Sequence, residues 1–527
     1  MMEAHNAAVR LIAQQVQRFS EKNKPFRIYH GSTNSTRTSQ RRADNTIDTS
    51  QLTHVLSVDA ASKTALVEPN VPMDALVDAT LAHGLVPPVV MEFPGITTGG
   101  GFSGMAGESS SFRHGAFDAT MRSIEIVLPT GQVARASKTN NPELFWGAAS
   151  AFGTLGVVTL LEVELRDAKE YVELTYSLTT NSKDTVKVME DAAAKEETDY
   201  IDGIVFSKNA TVICIGKLTD DLPKGRSSQR FSRRSDPWFY IRAKDVLKQL
   251  EKKPAQDAAN TVVDYIPLRD YLFRYDRGGF WVAKYAFRYF LTPFNRITRT
   301  ALDRFMHARV MYRAVHKSGL ADKHMVQDVG VPYDAVSDFQ DWLDTNFAIY
   351  PLWLCPLRVQ RDTPPGSVAA DAQHGLHSDF GRPHAPNLMN FGVWGDMQGA
   401  RARRAVVARN RDLERKVQAL GGKKWLYAHA YYPEDEFWAH YDRASYDALR
   451  AKYSAGYLPS VYDKVRVDVD AEEAAVRATW KTRAKHQVKE IWPVRGVYGF
   501  YKAAVGGDYL LQKTKTKSVE KVDGSSS

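Results

Sequence analysis

The stretch "PGITTGGGFSGMAGESS", residues 94–110, is the densest glycine run in the chain and limits what it can fold into. Glycine loses more conformational freedom on folding than any other residue. A run of it suits backbone that must turn tightly or lie close to a ligand. Gly99, Gly101 and Gly104 spell G-x-G-x-x-G, the phosphate turn of a parallel dinucleotide-binding sheet. That reading needs a buried strand ending at the first glycine and a helix opening inside the motif. The preceding "VPPVVMEFPG" carries three prolines, and the following "GESSSFRHG" is a poor helix. No helix is therefore expected to leave the run. It reads instead as a cradle whose successive backbone N–H groups face a diphosphate.

Two more glycine segments lie in the same region: "IYHGSTNSTR" at 28–37, and "FWGAASAFGTLGVVTLLEVEL" at 145–165, with Gly153 and Gly156. Around them the pattern is one of short mixed elements. Ala8, Leu11, Ile12, Val16 and Phe19 recur at helical spacing. "HVLSVD" and "TALVEP" form a hairpin, and "VPMDALVDATLAHG" is a helix closed by Gly84. Two strands flank the Pro129-Thr130-Gly131 turn. Leu161, Val163 and Leu165 alternate with Glu162 and Glu164 on a half-buried strand. Residues 1–168 thus read as one α+β domain. A second α+β unit spans 169–465, with a helical insertion near 237–317, strands at "AIYPLWLCPLRV", "LMNFGVWG" and "WLYAHAYY", and an exposed basic loop at 222–236. A C-terminal extension covers 466–527, its tail from about 512 polar enough to be disordered.

Composition excludes several classes. Only Cys214 and Cys355 are present, so there is no disulfide framework. No segment reaches the roughly 20 apolar residues of a membrane span. A net charge of +9 is mild for 527 residues and calls for no nucleic acid. The expected place is the cytoplasm, with peripheral contact to a membrane as a further expectation. Two aromatic, basic segments carry that second expectation, 278–299 and 491–511. His374, His377 and His384 share a proline-rich loop, but no carboxylate or cysteine pattern completes a metal site.

The three glycine segments, in this order, have the layout of the vanillyl-alcohol-oxidase-type (PCMH-type) FAD-binding domain. The strings "GESSSFRHGAFDATMRSIEIVLPTGQVARAS", "AIYPLWLCPLR" and "WLYAHAYYPEDEFWAHYD" narrow this further: over about 54–465 the chain resembles the delta-24 sterol reductase family. The resemblance implies FAD-dependent reduction of a carbon–carbon double bond in a sterol side chain or similar lipid, with NADPH as electron donor. It implies a PCMH-type domain of two small α+β subdomains under an α+β cap. It also places FAD along Gly31, Ser32, Thr33, Asn34, Ser35 and Thr36, then Gly99, Gly100, Gly101 and Gly104. Glu108, Ser109, Ser110 and His114 continue that path, and Gly153, Thr154, Gly156 and Val158 complete it. Asn34 stands where many such flavoproteins have a flavin-linking histidine, so FAD is expected to be non-covalent. Two other functions stay open: an FAD-dependent oxidase or dehydrogenase of an alcohol, acid or lactone, and a non-catalytic flavin-binding scaffold.

Reducing an alkene by hydride also requires a proton donor, best held in an apolar pocket where burial raises its pKa. Asp202, inside the apolar strand "YIDGIVFS", is one candidate. Strand alternation in "WLYAHAYY" puts Tyr427, His429 and Tyr431 on one face and Tyr432 on the other, four more candidates. Trp353, Cys355, Gln327 and Asp328 are also within reach of the second unit's strands.

Overall fold

The computed structural model describes residues 1–30, 42–252, 260–318, 324–359, 387–397, 402–480, 492–494, 496–499 and 501. The glycine loop at 31–36, the histidine loop at 362–386, most of 491–511 and the tail lie outside them.

The fold is mixed α+β, built around two antiparallel sheets. The first has five strands, in the order Val55–Asp59, Thr64–Val67, Val157–Glu164, Met121–Val127, Val133–Ser137. Its neighbours run antiparallel throughout. That arrangement rules out a Rossmann unit, as the prolines before Gly99 suggested. Leu161 and Val163 are fully buried, whereas Glu162 and Glu164 are half-exposed, which is the alternation read from the sequence. The Met2–Glu21 helix packs across this sheet through Val9, Ile12 and Val16. His5 fixes it there: Nδ1 lies 2.8 Å from Glu68 and Nε2 3.2 Å from Glu125.

The second sheet has eight strands. Its centre is Tyr200–Ser207, Leu352–Arg358, Asn387–Asp396 and His324–Pro332, side by side and antiparallel. Val262–Pro267 adds an edge strand inside the stretch read from the sequence as helical. The Ser182–Ala193 and Val336–Asn346 helices cover one face of this sheet. The basic loop at 222–236 is less free than its charge suggested. Arg277 donates to the carbonyls of Phe231, Arg234 and Asp236 and pairs with Asp303 at 2.8 Å.

Two stretches depart from the sequence reading. "WLYAHAYY" is not a strand: the sheet ladder ends after Lys423–Lys424, and Ala430 makes an isolated bridge to Arg466. Side-chain bonds then hold the chain in a turn, with Lys424 Nζ donating to Glu414 at 2.6 Å and to the His429 carbonyl at 2.5 Å. The helices between 434 and 465, expected in the second unit, pack on the first. Leu449, Ala455 and Leu458 join the cluster around Val9 and Ile12. Tyr446 Oη donates to Thr154 at 2.9 Å, and Lys464 Nζ to the Phe152 carbonyl at 2.6 Å.

The His5 site yields a stability prediction. Burial alone would lower the His5 pKa, but hydrogen bonds and charge from Glu125 and Glu68 raise it to about 9. Because the folded value exceeds the unfolded one, the stabilisation is complete below pH 6.5 and is lost as pH rises through about 9. His5→Ala should therefore cost about 3–5 kcal/mol at pH 6, as expected for breaking a buried pair. The cost should shrink well above pH 9, read by urea unfolding of both proteins at the two pH values.

Candidate active site

A cavity of about 1020 Å³ opens between the two sheets. That is the upper end of what ligand pockets usually hold. Its floor is the glycine segment. Contrary to the sequence reading, this segment does form a helix, the short Thr98–Gly104, capped where Thr97 Oγ1 accepts the Gly100 N–H at 3.1 Å. The N–H groups of Gly99 and Gly101 are likewise committed, to Pro69 and Thr97 carbonyls at 2.8 Å each. These glycines therefore contribute clearance rather than N–H donors. A Cβ on Gly99 would lie 2.7 Å from Pro69 Cβ, while one on Gly104 would enter open space in the cavity.

Gly99, Gly100, Gly104, Gly153, Gly156 and Val158 line the cavity. Gly156 has φ +143, and a Cβ there would sit 2.5 Å from the Val127 carbonyl, so no other residue fits. Gly101 faces the core instead, against Phe117. Glu108, Ser109, Ser110, His114 and Thr154 do not line the cavity. Glu108 accepts N–H bonds from Glu92 and Ser109, both at 3.2 Å. Burial, with Arg166 and Arg113 nearby, lowers the His114 pKa to about 4. Thr154 supports the Tyr446 hydroxyl.

The cavity has two chemically distinct ends. Near Gly153, Arg27 and His30 meet Lys464 and Arg466 from the chain's C-terminal part, with Asp463, Asp468 and Glu472 among them. The other end is aromatic: Phe280, Trp353, Trp394, Trp425, Tyr312 and Tyr427 line it. Strand pairing explains this wall. Gly392 lies opposite both Asp328 and Trp353, and Asn390 and Trp394 flank it on the same face. A Cβ on Gly392 would strike the Trp394 ring at 2.5 Å, so its absence lets that ring lie flat across the sheet.

Carboxyl groups stand at this aromatic end. Glu92 lines the cavity, and burial, with Asp328 and Asp202 nearby, raises its pKa to about 8. Its carboxyl is therefore neutral at pH 7. Asp328 is raised to about 6 by burial, against hydrogen bonds from Tyr427, Asn390 and Trp394. Asn390 Nδ2 donates to it at 3.2 Å, and the Tyr427 hydroxyl donates to its other oxygen.

Of the sequence candidates, Tyr427, His429, Trp353 and Asp328 line the cavity. Asp202 does not. Its Oδ2 accepts from Arg274 at 2.9 Å, Tyr275 at 2.7 Å and Trp353 Nε1 at 3.1 Å. Arg274 in turn lies over the Tyr271 ring at 4.0 Å. Asp202 is thus an anchor that orients Trp353. Tyr431 donates its N–H to Glu414, and Tyr432 is buried with Phe437 and Tyr462, both away from the cavity because the segment turns. Glu92 was passed over in the sequence, although a lone carboxylate in "VVMEFPG" was a signal. Asp328 was noted there, but its partners lie on other strands.

No group of three or more metal-ligating side chains occurs among the described residues. The three loop histidines lie outside them. The cavity does fit FAD: a floor cleared by missing side chains, an end where Arg27, Lys464 and Arg466 can meet a diphosphate among neighbouring carboxylates, and an aromatic end for a flat ring system. Arg27 and Lys464 would hold it, with Gly99, Gly104, Gly153 and Gly156 leaving the room for it.

Comparison with known proteins agrees. The family described as FAD binding domain matches residues 9–137. The chain is similar to the Delta(24)-sterol reductase of Homo sapiens, 27% identical over 428 residues, covering 79% of this chain and 76% of that protein. It is equally similar to the Delta(24)-sterol reductase of Arabidopsis thaliana, 27% over 453 residues with the same coverage. Cytokinin dehydrogenase 4 of Oryza sativa subsp. japonica is 30% identical over 135 residues, 25% of this chain and 26% of that protein. Fold, cavity and comparison define the class: an FAD-binding oxidoreductase with a PCMH-type domain and a second sheet as its cap. Within that class the chain is similar to the Delta(24)-sterol reductases over most of its length.

Gly104→Trp tests the placement of the cofactor. Its side chain would occupy open cavity space. The variant should fold with an unchanged circular dichroism spectrum and retain at least tenfold less flavin through purification, as expected when a pocket is filled. Full flavin content would move the cofactor elsewhere.

Proposed function

We propose that this chain reduces a carbon–carbon double bond in a sterol side chain or similar lipid. The observation that carries the reading is the neutral Glu92 carboxyl facing an aromatic-walled cavity above the glycine helix. The relatives' name supplies the substrate class. When bound, non-covalent FAD would supply hydride from N5, with NADPH as the donor that restores it.

The protein's part is the proton. An unactivated alkene accepts hydride at one carbon only if the other receives a proton, and Glu92 holds one at pH 7. Burial makes the resulting carboxylate costly, so Glu92 recovers a proton readily. Tyr427 and Asp328 border the same space, where the ionised Asp328 accepts the Tyr427 hydroxyl and fixes its direction. Phe280, Trp353 and Trp394 exclude water and offer flat apolar contact; Phe280 lies 4.4 Å from Trp394 between ring centroids. His429 reaches the cavity beside Tyr427 and completes this polar edge.

A second reading has one observation in its favour. With a pKa of about 6, Asp328 is ionised at pH 7 and could remove a proton from an alcohol, as an oxidase or dehydrogenase requires. Anaerobic flavin bleaching by an alcohol, with none by NADPH, would favour that reading over reduction.

Glu92→Gln tests the main reading. It should lower sterol conversion about 10²–10⁴-fold, the usual worth of a general acid. Flavin content should stay unchanged. Wild-type turnover should fall as pH rises through about 8, because the donor is the protonated form, and the variant should lose that limb. Tyr427→Phe should also slow conversion, whereas Tyr431→Phe should not. Wild-type rates in Glu92→Gln would remove the acid from the scheme.

A further inference from the structure

Exposed apolar side chains are concentrated in one place. Among the described residues, thirteen large hydrophobic side chains are exposed, and eight of them belong to 290–297 or 492–501. Leu291 is 76% exposed, Ile297 79% and Trp492 54%. The two segments touch: Trp492 Nε1 donates to the Tyr289 carbonyl at 2.8 Å, and the Gly496 N–H to the Tyr289 hydroxyl at 3.2 Å. Monomeric proteins seldom leave such a contiguous surface uncovered.

Its charge points to the partner. Residues 278–302 contain Lys284, Arg288, Arg296 and Arg299 and no Asp or Glu, and 492–501 contains none either. Arg288 and Arg296 are exposed beside the apolar side chains, and Arg299 lies over the Phe294 ring at 5.1 Å. An apolar surface rimmed by cations without carboxylates matches an anionic lipid surface.

The sequence expectation of a membrane-facing 278–299 is sharpened rather than kept whole. Phe280, Trp281, Ala283 and Phe287 are buried, and Phe280 lines the cavity. Only the end of that stretch faces outward. The Ala308–Ser318 helix links the two surfaces. Its Met311 and Tyr312 line the cavity, while Gly499 lies so close to Ala314 that a Cβ would be 2.6 Å from its carbonyl. One helix therefore borders the cavity and supports the exposed segment.

We propose that 290–297 and the described residues of 492–501 form a docking face for a bilayer bearing anionic lipid, and that the cavity is supplied from that surface. The second clause rests on the lipid-substrate reading; the first rests on the face alone. No helix among the described residues is long and apolar enough to cross a membrane, so docking of this kind is an in-plane contact.

The test is flotation of the full, flavin-loaded chain with phosphatidylcholine vesicles, with and without phosphatidylserine. Binding should be roughly tenfold stronger on the anionic vesicles, should weaken with salt, and should fall at least tenfold in Leu291→Asp/Ile297→Asp. Leu291→Met/Ile297→Leu should bind like wild type. Wild-type protein that ignores both vesicles, or a double Asp variant that still floats, overturns the proposal. So does sedimentation showing a vesicle-independent dimer that the Asp variant dissociates, which would assign the face to a second copy. Turnover on detergent-dispersed sterol, measured on the same samples, separates the two claims. Conversion without flotation defeats docking alone, and flotation without conversion defeats the lipid-reductase reading alone.

Discussion

Three carboxyl groups leave water in one region, and the site depends on how that cost is divided. Asp202, Glu92 and Asp328 are close enough that Asp202 and Asp328 both push the Glu92 pKa upward. Like charges in a low dielectric cannot all persist, and burial holds both Glu92 and Asp328 above the ordinary carboxyl range. Asp202 faces Arg274 and accepts three hydrogen bonds on one oxygen. Asp328 has two hydrogen-bonding neighbours on the sheet and the Tyr427 turn and titrates near 6. For Glu92 burial dominates, with Asp328 and Asp202 adding to it against the opposing pull of Arg274, and it titrates at about 8. Titratable groups pushed apart in this way mark an acid and its supports.

The fold produces this division by meeting at the cavity from two sides. The antiparallel second sheet presents Asp328, Asn390, Trp353 and Trp394 on one face through strand alternation around Gly392. The first unit supplies the glycine helix below, and Glu92 from the irregular stretch before it, tied by its N–H to Glu108. The helices returning from 434 to 465 then close the charged end through Lys464. Cofactor hold and chemistry thus come from residues far apart in sequence.

That distance explains what the sequence could and could not reveal. The first sheet was legible because Leu161, Val163 and their glutamates alternate, and because the Pro129-Thr130-Gly131 turn marks a hairpin. Gly153 and Gly156 were legible because only glycine suits their backbone. The helix at Thr98 was not, since four glycines argue against helix and only tertiary contact with Pro69 and Val71 overrides them. The strand expected at 425–432 failed for a similar reason. Its aromatic alternation was genuine, but the buried Lys424–Glu414 pair pulls the chain into a turn. Asp202 looked catalytic in an apolar strand because its counterion, Arg274, is 72 residues away.

The account's central claim is that Glu92 carries a proton at neutral pH. Infrared difference spectra between wild type and Glu92→Gln read that state directly. The account predicts a protonated-carboxyl carbonyl band at pH 7, assigned to Glu92 by its loss in the variant, that disappears as pH rises through about 8. A carboxylate band from Glu92 at pH 7 would contradict it.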